Sequence, residues 1–167
     1  MTAFQAKSAD IRGVVLDIGG VELLLPSATV AEVVYCEEPR PHPAAPLWLL
    51  GTVPWRDQAV PLVSVRAGGQ DPHEVRRGPR ARMAVCYSPT PGSDQPYLGI
   101  LAVGPPRLTV FRGEAMGPGE LPAANPFVLH ALTYMDRPAW IPDIDAIEMA
   151  VREVLGGGAE APEAGED

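Results

Sequence analysis

The run Val14-Val15-Leu16-Asp17-Ile18-Gly19-Gly20-Val21-Glu22-Leu23-Leu24-Leu25-Pro26 carries the clearest structural signal in the chain. Gly19-Gly20 tolerates the positive φ angles of a tight turn, and β-type residues flank it on both sides. The stretch therefore predicts an antiparallel hairpin. Strand side chains alternate, so Val14, Leu16 and Ile18 share one face, as do Val21, Leu23 and Leu25. On this reading Asp17 and Glu22 are strand-surface charges.

Outward from this hairpin the chain keeps the same style. Its 167 residues include 20 prolines and 17 glycines, which cut it into short segments and disfavour long helices. Residues 27–29 read as a turn or one helical turn, followed by an extended segment from Val30 to Tyr35. A proline-rich loop from Pro39 to Pro46 leads through Leu47 to Leu50 into a second hairpin. Its strands are Gly51 to Trp55 and Gln58 to Val65, turning at Arg56-Asp57. Ala67 to Arg80 reads as a solvated boundary, rich in Arg, Gly and Pro and without interleaved aromatics. Beyond it, Ala81 to Tyr87, Tyr97 to Val103 and Arg107 to Phe111 read as strands. A Gly/Pro-rich excursion from Gly113 to Pro126 precedes a last pair, Val128 to Tyr134 and Pro138 to Pro142, around Met135-Asp136-Arg137.

One helix is predicted. Asp143 caps it, and Ile144, Ile147, Val151, Val154 and Leu155 fall on one face at steps of three and four. Asp145, Glu148 and Arg152 take the opposite face, Glu148 and Arg152 at pairing distance along it. Gly156 stops it. A faint repeat sets Asp57 to Val65 against Asp136 to Ile144 and suggests two related β lobes. The expected organisation is one unit over 11–155, with lobes at about 11–66 and 81–155, an exchange of strands between them left open, and flexible tails at 1–10 and 156–167.

Composition narrows the function classes. An apolar content of 46% suits a folded core. No apolar run approaches the roughly 20 residues of a membrane-spanning helix, so no membrane insertion is expected. Residues 1–10 lack a basic-then-apolar leader pattern, making the cytoplasm the expected location. Net charge is −8, half of it from Glu160, Glu163, Glu166 and Asp167, and an acidic chain is repelled by phosphate backbones, so no nucleic acid is expected. Cys36 and Cys86 lie far apart without a CxxC spacing and read as reduced, buried thiols.

Motifs of catalysis are missing: no GxSxG, no Walker loop, no HExxH, no GxGxxG. His42, His73 and His130 are scattered, with no Cys or carboxylate at metal-ligand spacing, so no metal or cofactor is expected. His130 lies in an apolar strand and reads as a core or sheet-face residue. Neither fact excludes groups brought together by folding, and a ligand- or peptide-binding β-barrel or a thiol enzyme using Cys36 or Cys86 stays open.

The segment Gly19-Gly20-Val21-Glu22-Leu23-Leu24-Leu25-Pro26, followed by Val30-Ala31-Glu32-Val33-Val34, resembles the opening of CheW-like domains. Gly51-Thr52-Val53-Pro54-Trp55-Arg56-Asp57 and Val60-Pro61-Leu62-Val63-Ser64-Val65 resemble that family's next two blocks, and the likeness spans roughly Ile11 to Leu155. Pro54, Asp57 and Ser64 depart from its usual Asn, Gly and Asp. Pro105-Pro106 offers no amide donors where the family continues a strand, so that sheet edge must pair differently. Trp48-Leu49-Leu50-Gly51, Trp55-Arg56 and Pro61-Leu62-Val63-Ser64 are similar to the accessory, ChpC-like proteins of type IV pilus (twitching) chemosensory systems. The resemblance implies a mainly β fold of two five-stranded, SH3-like barrels with a short C-terminal helix. It also implies a non-catalytic adaptor bridging the tip of a methyl-accepting chemoreceptor and the regulatory domain of a CheA-type histidine kinase.

The same resemblance marks Arg56 and Glu32 as a candidate pair that shapes the turn at Trp55 for a partner; the plainer reading is an exposed ion pair worth ~0–1 kcal/mol. Trp48 and Trp55 read as core plugs or interface anchors, whereas Trp140 reads as core. Val30, Val33 and Leu62 are candidates for an apolar groove, with core packing as the competing reading.

Overall fold

In the computed structural model, which describes residues 10–69, 78–121 and 123–156, eleven strands form two sheets followed by one helix. The strands are β1 (Ile11–Asp17), β2 (Glu22–Pro26), β3 (Val30–Tyr35), β4 (Leu49–Trp55), β5 (Gln58–Val63), β6 (Arg82–Tyr87), β7 (Tyr97–Ala102), β8 (Arg107–Phe111), β9 (Met116–Pro118), β10 (Val128–Tyr134) and β11 (Arg137–Pro142). Helix α1 spans Ile144–Gly156. The tail from 157 and most of residues 1–10 lie outside the described residues, as does the middle of the Arg-rich connector.

Lobe A is a six-stranded sheet ordered β8-β1-β2-β11-β10-β9, and lobe B a five-stranded sheet ordered β3-β6-β7-β5-β4. Neither sheet is made from one side of the connector alone. Read from its outer strand β3, lobe B is visited first, fifth, fourth, second, third. Lobe A follows the same cycle from β8 but is entered at its second strand, so the first and last strands of the chain both belong to it. The sixth strand of lobe A is the three-residue β9, paired with β10 inside what the sequence presented as a Gly/Pro-rich excursion. The repeated segments occupy equivalent places: β5 and β11 each leave a two-residue turn, and each then pairs in parallel with another strand, β7 and β2 respectively.

The turns explain the hairpins. Gly19 and Gly20 have φ of 101° and 82°, and the Gly19 N–H donates to Asp17 Oδ1 at 2.8 Å. Arg56-Asp57 and Met135-Asp136 hold positive φ without glycine, at 44° and 61° and at 49° and 61°. Such left-handed pairs match the twist of a two-residue hairpin and cost side chains some strain, which the flanking ladders hold in place. At Gly51 the reason is steric: φ is 134° and a Cβ would run into the Arg40 carbonyl. That close approach lets Arg40 and Thr52 exchange backbone hydrogen bonds of 2.8 and 2.9 Å, covering the free edge of β4.

Strand alternation builds three apolar layers. Val14, Leu16, Ile18, Val21, Leu23 and Leu25 meet Ala84, Cys86, Leu98 and Ile100 in a core shared by the two sheets, which Ile147 and Val151 of α1 and Trp140 complete. The opposite parity points into the lobes themselves. Val15, Leu24, Phe111, Tyr134 and Ala139 fill lobe A; Val53, Trp55, Val60, Leu62, Met83 and Val85 fill lobe B. Each such buried Leu or Val contributes roughly 1.5–3 kcal/mol, so the doubly covered central strands dominate stability.

A polar clip ties the lobes on one side. The buried Asn125, from the loop before β10, donates to the Val65 carbonyl at 2.8 Å and accepts the Phe127 N–H at 3.0 Å, while Phe127 packs edge-on against Trp48 with ring centroids 5.0 Å apart. Asp143 Oδ1 accepts the Ala146 N–H at 3.0 Å, the expected helix cap. One helix assignment is corrected: Glu148 is not on a solvent face but 3% exposed, its Oε1 3.3 Å from Arg152 Nε. Arg152 also reaches the loop before β7 through Ser93 Oγ at 2.9 Å, which pulls this side of the helix against lobe B.

Candidate docking site

β3 and β4 are the two outer strands of lobe B, and side chains rather than a ladder join them. Glu32 Oε2 accepts the Trp55 indole N–H at 3.0 Å and stands 3.2 Å from Arg56 Nη2. The indole is 8% exposed and packs edge-on against Tyr97 at 4.8 Å, so it stops the mouth of the barrel. Above it the Arg56 guanidinium lies 4.8 Å from the indole centroid, where the ring face attracts a cation. Arg56 is thus held from two sides while its side chain remains 69% exposed. Its positive φ at the turn makes this outward projection possible. An open hollow of about 480 Å³ adjoins it, walled by Glu37, Arg40, Thr52, Arg56 and Asp57.

Three of the sequence candidates, Glu32, Trp55 and Arg56, therefore meet at one point. The others separate from it. Leu62 is fully buried inside lobe B, and a groove-lining role for it is corrected to core packing. Val30 and Val33 are half-buried on the face of β3 turned to the shared core. Trp48 is half-buried beside Phe127, Trp140 is core, and His130 is exposed on β10.

A second cluster was not visible in the sequence. Glu22, expected at the surface, is 8% exposed and sits between two arginines: Arg107 Nη2 reaches Oε1 and Oε2 at 3.0 and 3.1 Å, and Arg137 Nη1 reaches Oε1 at 3.4 Å. All three share the strand parity of Leu24, Phe111 and Ala139, so they close the mouth of lobe A. The available signal was that Leu24 makes the second face of β2 apolar too. A carboxylate on a strand buried on both faces needs a cationic partner.

No arrangement of nucleophile and base emerges at either mouth. Burial pushes the Cys86 thiol up to about 12, so it is not a thiolate nucleophile near neutral pH. The Cys36 Sγ lies 3.5 Å from the Glu37 carbonyl. Among the described residues, no three His, Cys, Asp or Glu side chains gather to hold a metal ion. No helix among them is long and apolar enough to cross a membrane.

A family profile described as CheW-like domain matches residues 12–149. Among solved structures, the scaffolding protein CheW of Thermoanaerobacter tengcongensis is similar in fold, with a TM-score of 0.65 over 86% of this chain and 90% of that one, at 13% identity. No curated protein matches the chain by sequence.

Proposed function

The chain belongs to the CheW-like family, and from that premise we propose that it is a non-catalytic cytoplasmic adaptor coupling a methyl-accepting chemoreceptor to the regulatory domain of a CheA-type histidine kinase. The observation that carries the reading is the Glu32 clasp, which holds Arg56 outward over Trp55 at the mouth of lobe B. A cation fixed beside an aromatic ring loses little freedom on docking, the property expected of an interface hot spot.

Two surfaces serve the two partners. The lobe B mouth, with its mixed-charge hollow, receives the kinase domain. The receptor helix lies along the apolar fringe of the shared core, where Val30 and Val33 are half-buried and Leu108 of β8 is 81% exposed. Leu108 pairs with Val14 in register and so extends the face that elsewhere is covered. The blocks around Trp48, Trp55 and Pro61 support assignment to the accessory branch serving type IV pilus motility.

Pulldown with a purified kinase regulatory domain and a receptor-tip helix tests this. Arg56→Glu and Glu32→Arg are each expected to weaken kinase capture about tenfold or more, and the double swap to restore much of it. Fully additive losses reject the clasp. Absence of capture of both partners by the unaltered chain rejects the adaptor role.

A further inference from the structure

The mouth of lobe A has a geometry the coupling role leaves unused. Glu22 is consumed: both its oxygens are engaged and its side chain is only 10% exposed. The arginines are not. Arg107 commits one terminal nitrogen and Arg137 one, while a guanidinium carries five N–H donors. Their side chains are 55% and 67% exposed. Two cations against one anion leave a single uncompensated positive charge. Beside it opens a cavity of about 370 Å³ walled by Arg107, Arg137, Glu22, Tyr134 and Met135, the last 68% exposed at the β10–β11 turn. Arg137 and Glu22 also wall a smaller hollow of about 220 Å³ with Asp17, Gly20 and Pro138.

We propose that this cavity binds an acidic peptide segment of a partner protein, a single carboxylate bridging Arg107 and Arg137 while the neighbouring apolar side chain rests on Met135 and Tyr134. Charge selects the occupant: the side chains lining the cavity carry one unbalanced positive charge, which matches one carboxylate. Glu22 serves as the brace: its buried carboxylate fixes both guanidinia in advance, so an incoming acid meets an ordered fork. The apolar walls add selectivity for the residue next to the acid in the bound peptide. This rests on the mouth of lobe A alone and goes beyond the two coupling surfaces proposed above.

The test is side-chain NMR on the full chain, titrated with N-acetyl-Asp-Leu-amide, N-acetyl-Asn-Leu-amide and inorganic phosphate. The Asp peptide is expected to shift the Arg107 and Arg137 Nε–H signals and the Met135 methyl saturably, and the Asn peptide to bind about tenfold more weakly, as loss of a charged partner implies. Arg137→Gln should weaken the Asp peptide by a similar factor while the amides of lobe B keep their shifts. Met135→Ser, at an exposed turn position, should weaken Asp-Leu severalfold and leave N-acetyl-Asp-Gly-amide unchanged. Equal response to the Asn peptide, preference for phosphate, or no saturation by about 20 mM would overturn the site. A failed capture of kinase and receptor would leave these shifts standing, so the two readings fail separately.

Discussion

The two barrel mouths are built on the same hairpin and closed by opposite chemistry. In lobe B, Trp55 precedes the turn and fills the opening with an apolar ring, leaving Glu32 and Arg56 at the rim with side chains 40% and 69% exposed. In lobe A, Tyr134 precedes the turn, Met135 takes the place of Arg56, and the opening is closed by a carboxylate whose side chain is 10% exposed between two arginines. Counting ion pairs, one at the mouth of lobe B and two at that of lobe A, would miss the difference. Water screens the rim pair of lobe B, so its value lies in orientation; the Glu22 cluster is part of the structure, because its carboxylate has no water to return to.

The comparison breaks most visibly in the lobe B interior. Leu62→Ala is expected to cost about 2–5 kcal/mol in urea denaturation, as truncations of fully buried leucines do. A loss below about 1 kcal/mol would return Leu62 to the surface. Glu22→Gln comes next, at about 1–2 kcal/mol, since one charge is removed from a nearly buried cluster whose arginines stand partly in water. The equivalent change in lobe B, Glu32→Gln, is the smallest of the set, below about 1 kcal/mol. If the two glutamates cost the same, the contrast between the mouths is wrong.

Cys86 sharpens the comparison from the shared core, and its effect is confined to alkaline pH. Its thiol rises from 9.0 to about 12 on folding, so between those pH values the unfolded chain loses a proton that the folded chain keeps. Stability then falls as pH climbs, by up to about 1.4 kcal/mol per pH unit within that window, and is unaffected by this group below it. Cys86→Ala should flatten that part of the pH–stability curve. Because the layer is common to both sheets, tryptophan fluorescence and amide signals from either lobe should report one coincident alkaline transition.

Much of this fold was legible in the sequence because strand parity is a local signal. Gly19-Gly20 announced the first hairpin, and Val14, Leu16, Ile18, Val21, Leu23 and Leu25 all reach the shared core as their alternation predicts. Asp143 and the spacing of Ile147 and Val151 placed the helix. The clustering of Glu32 with Arg56 was anticipated from family likeness, and the indole bond to Glu32 follows from folding. Contacts between distant segments escaped. Glu22 meets Arg107 and Arg137 from positions 85 and 115 residues away, and Asn125 meets Val65 across 60. β9 escaped because three residues around Gly117 carry no period to read, and only the ladder to β10 makes them a strand.

The permuted strand cycle has a consequence for how the protein is made. β1 and β2 are made before the other strands, yet their sheet partners β8 and β11 are separated from them by the whole of lobe B. Lobe B is the unit able to complete its sheet while translation continues; it can cover one face of the opening hairpin, whose other apolar face must wait for β8, β10 and β11. Truncation after β7 is therefore expected to yield chains that aggregate through that hairpin, and supplying residues 104–156 as a separate peptide should rescue solubility.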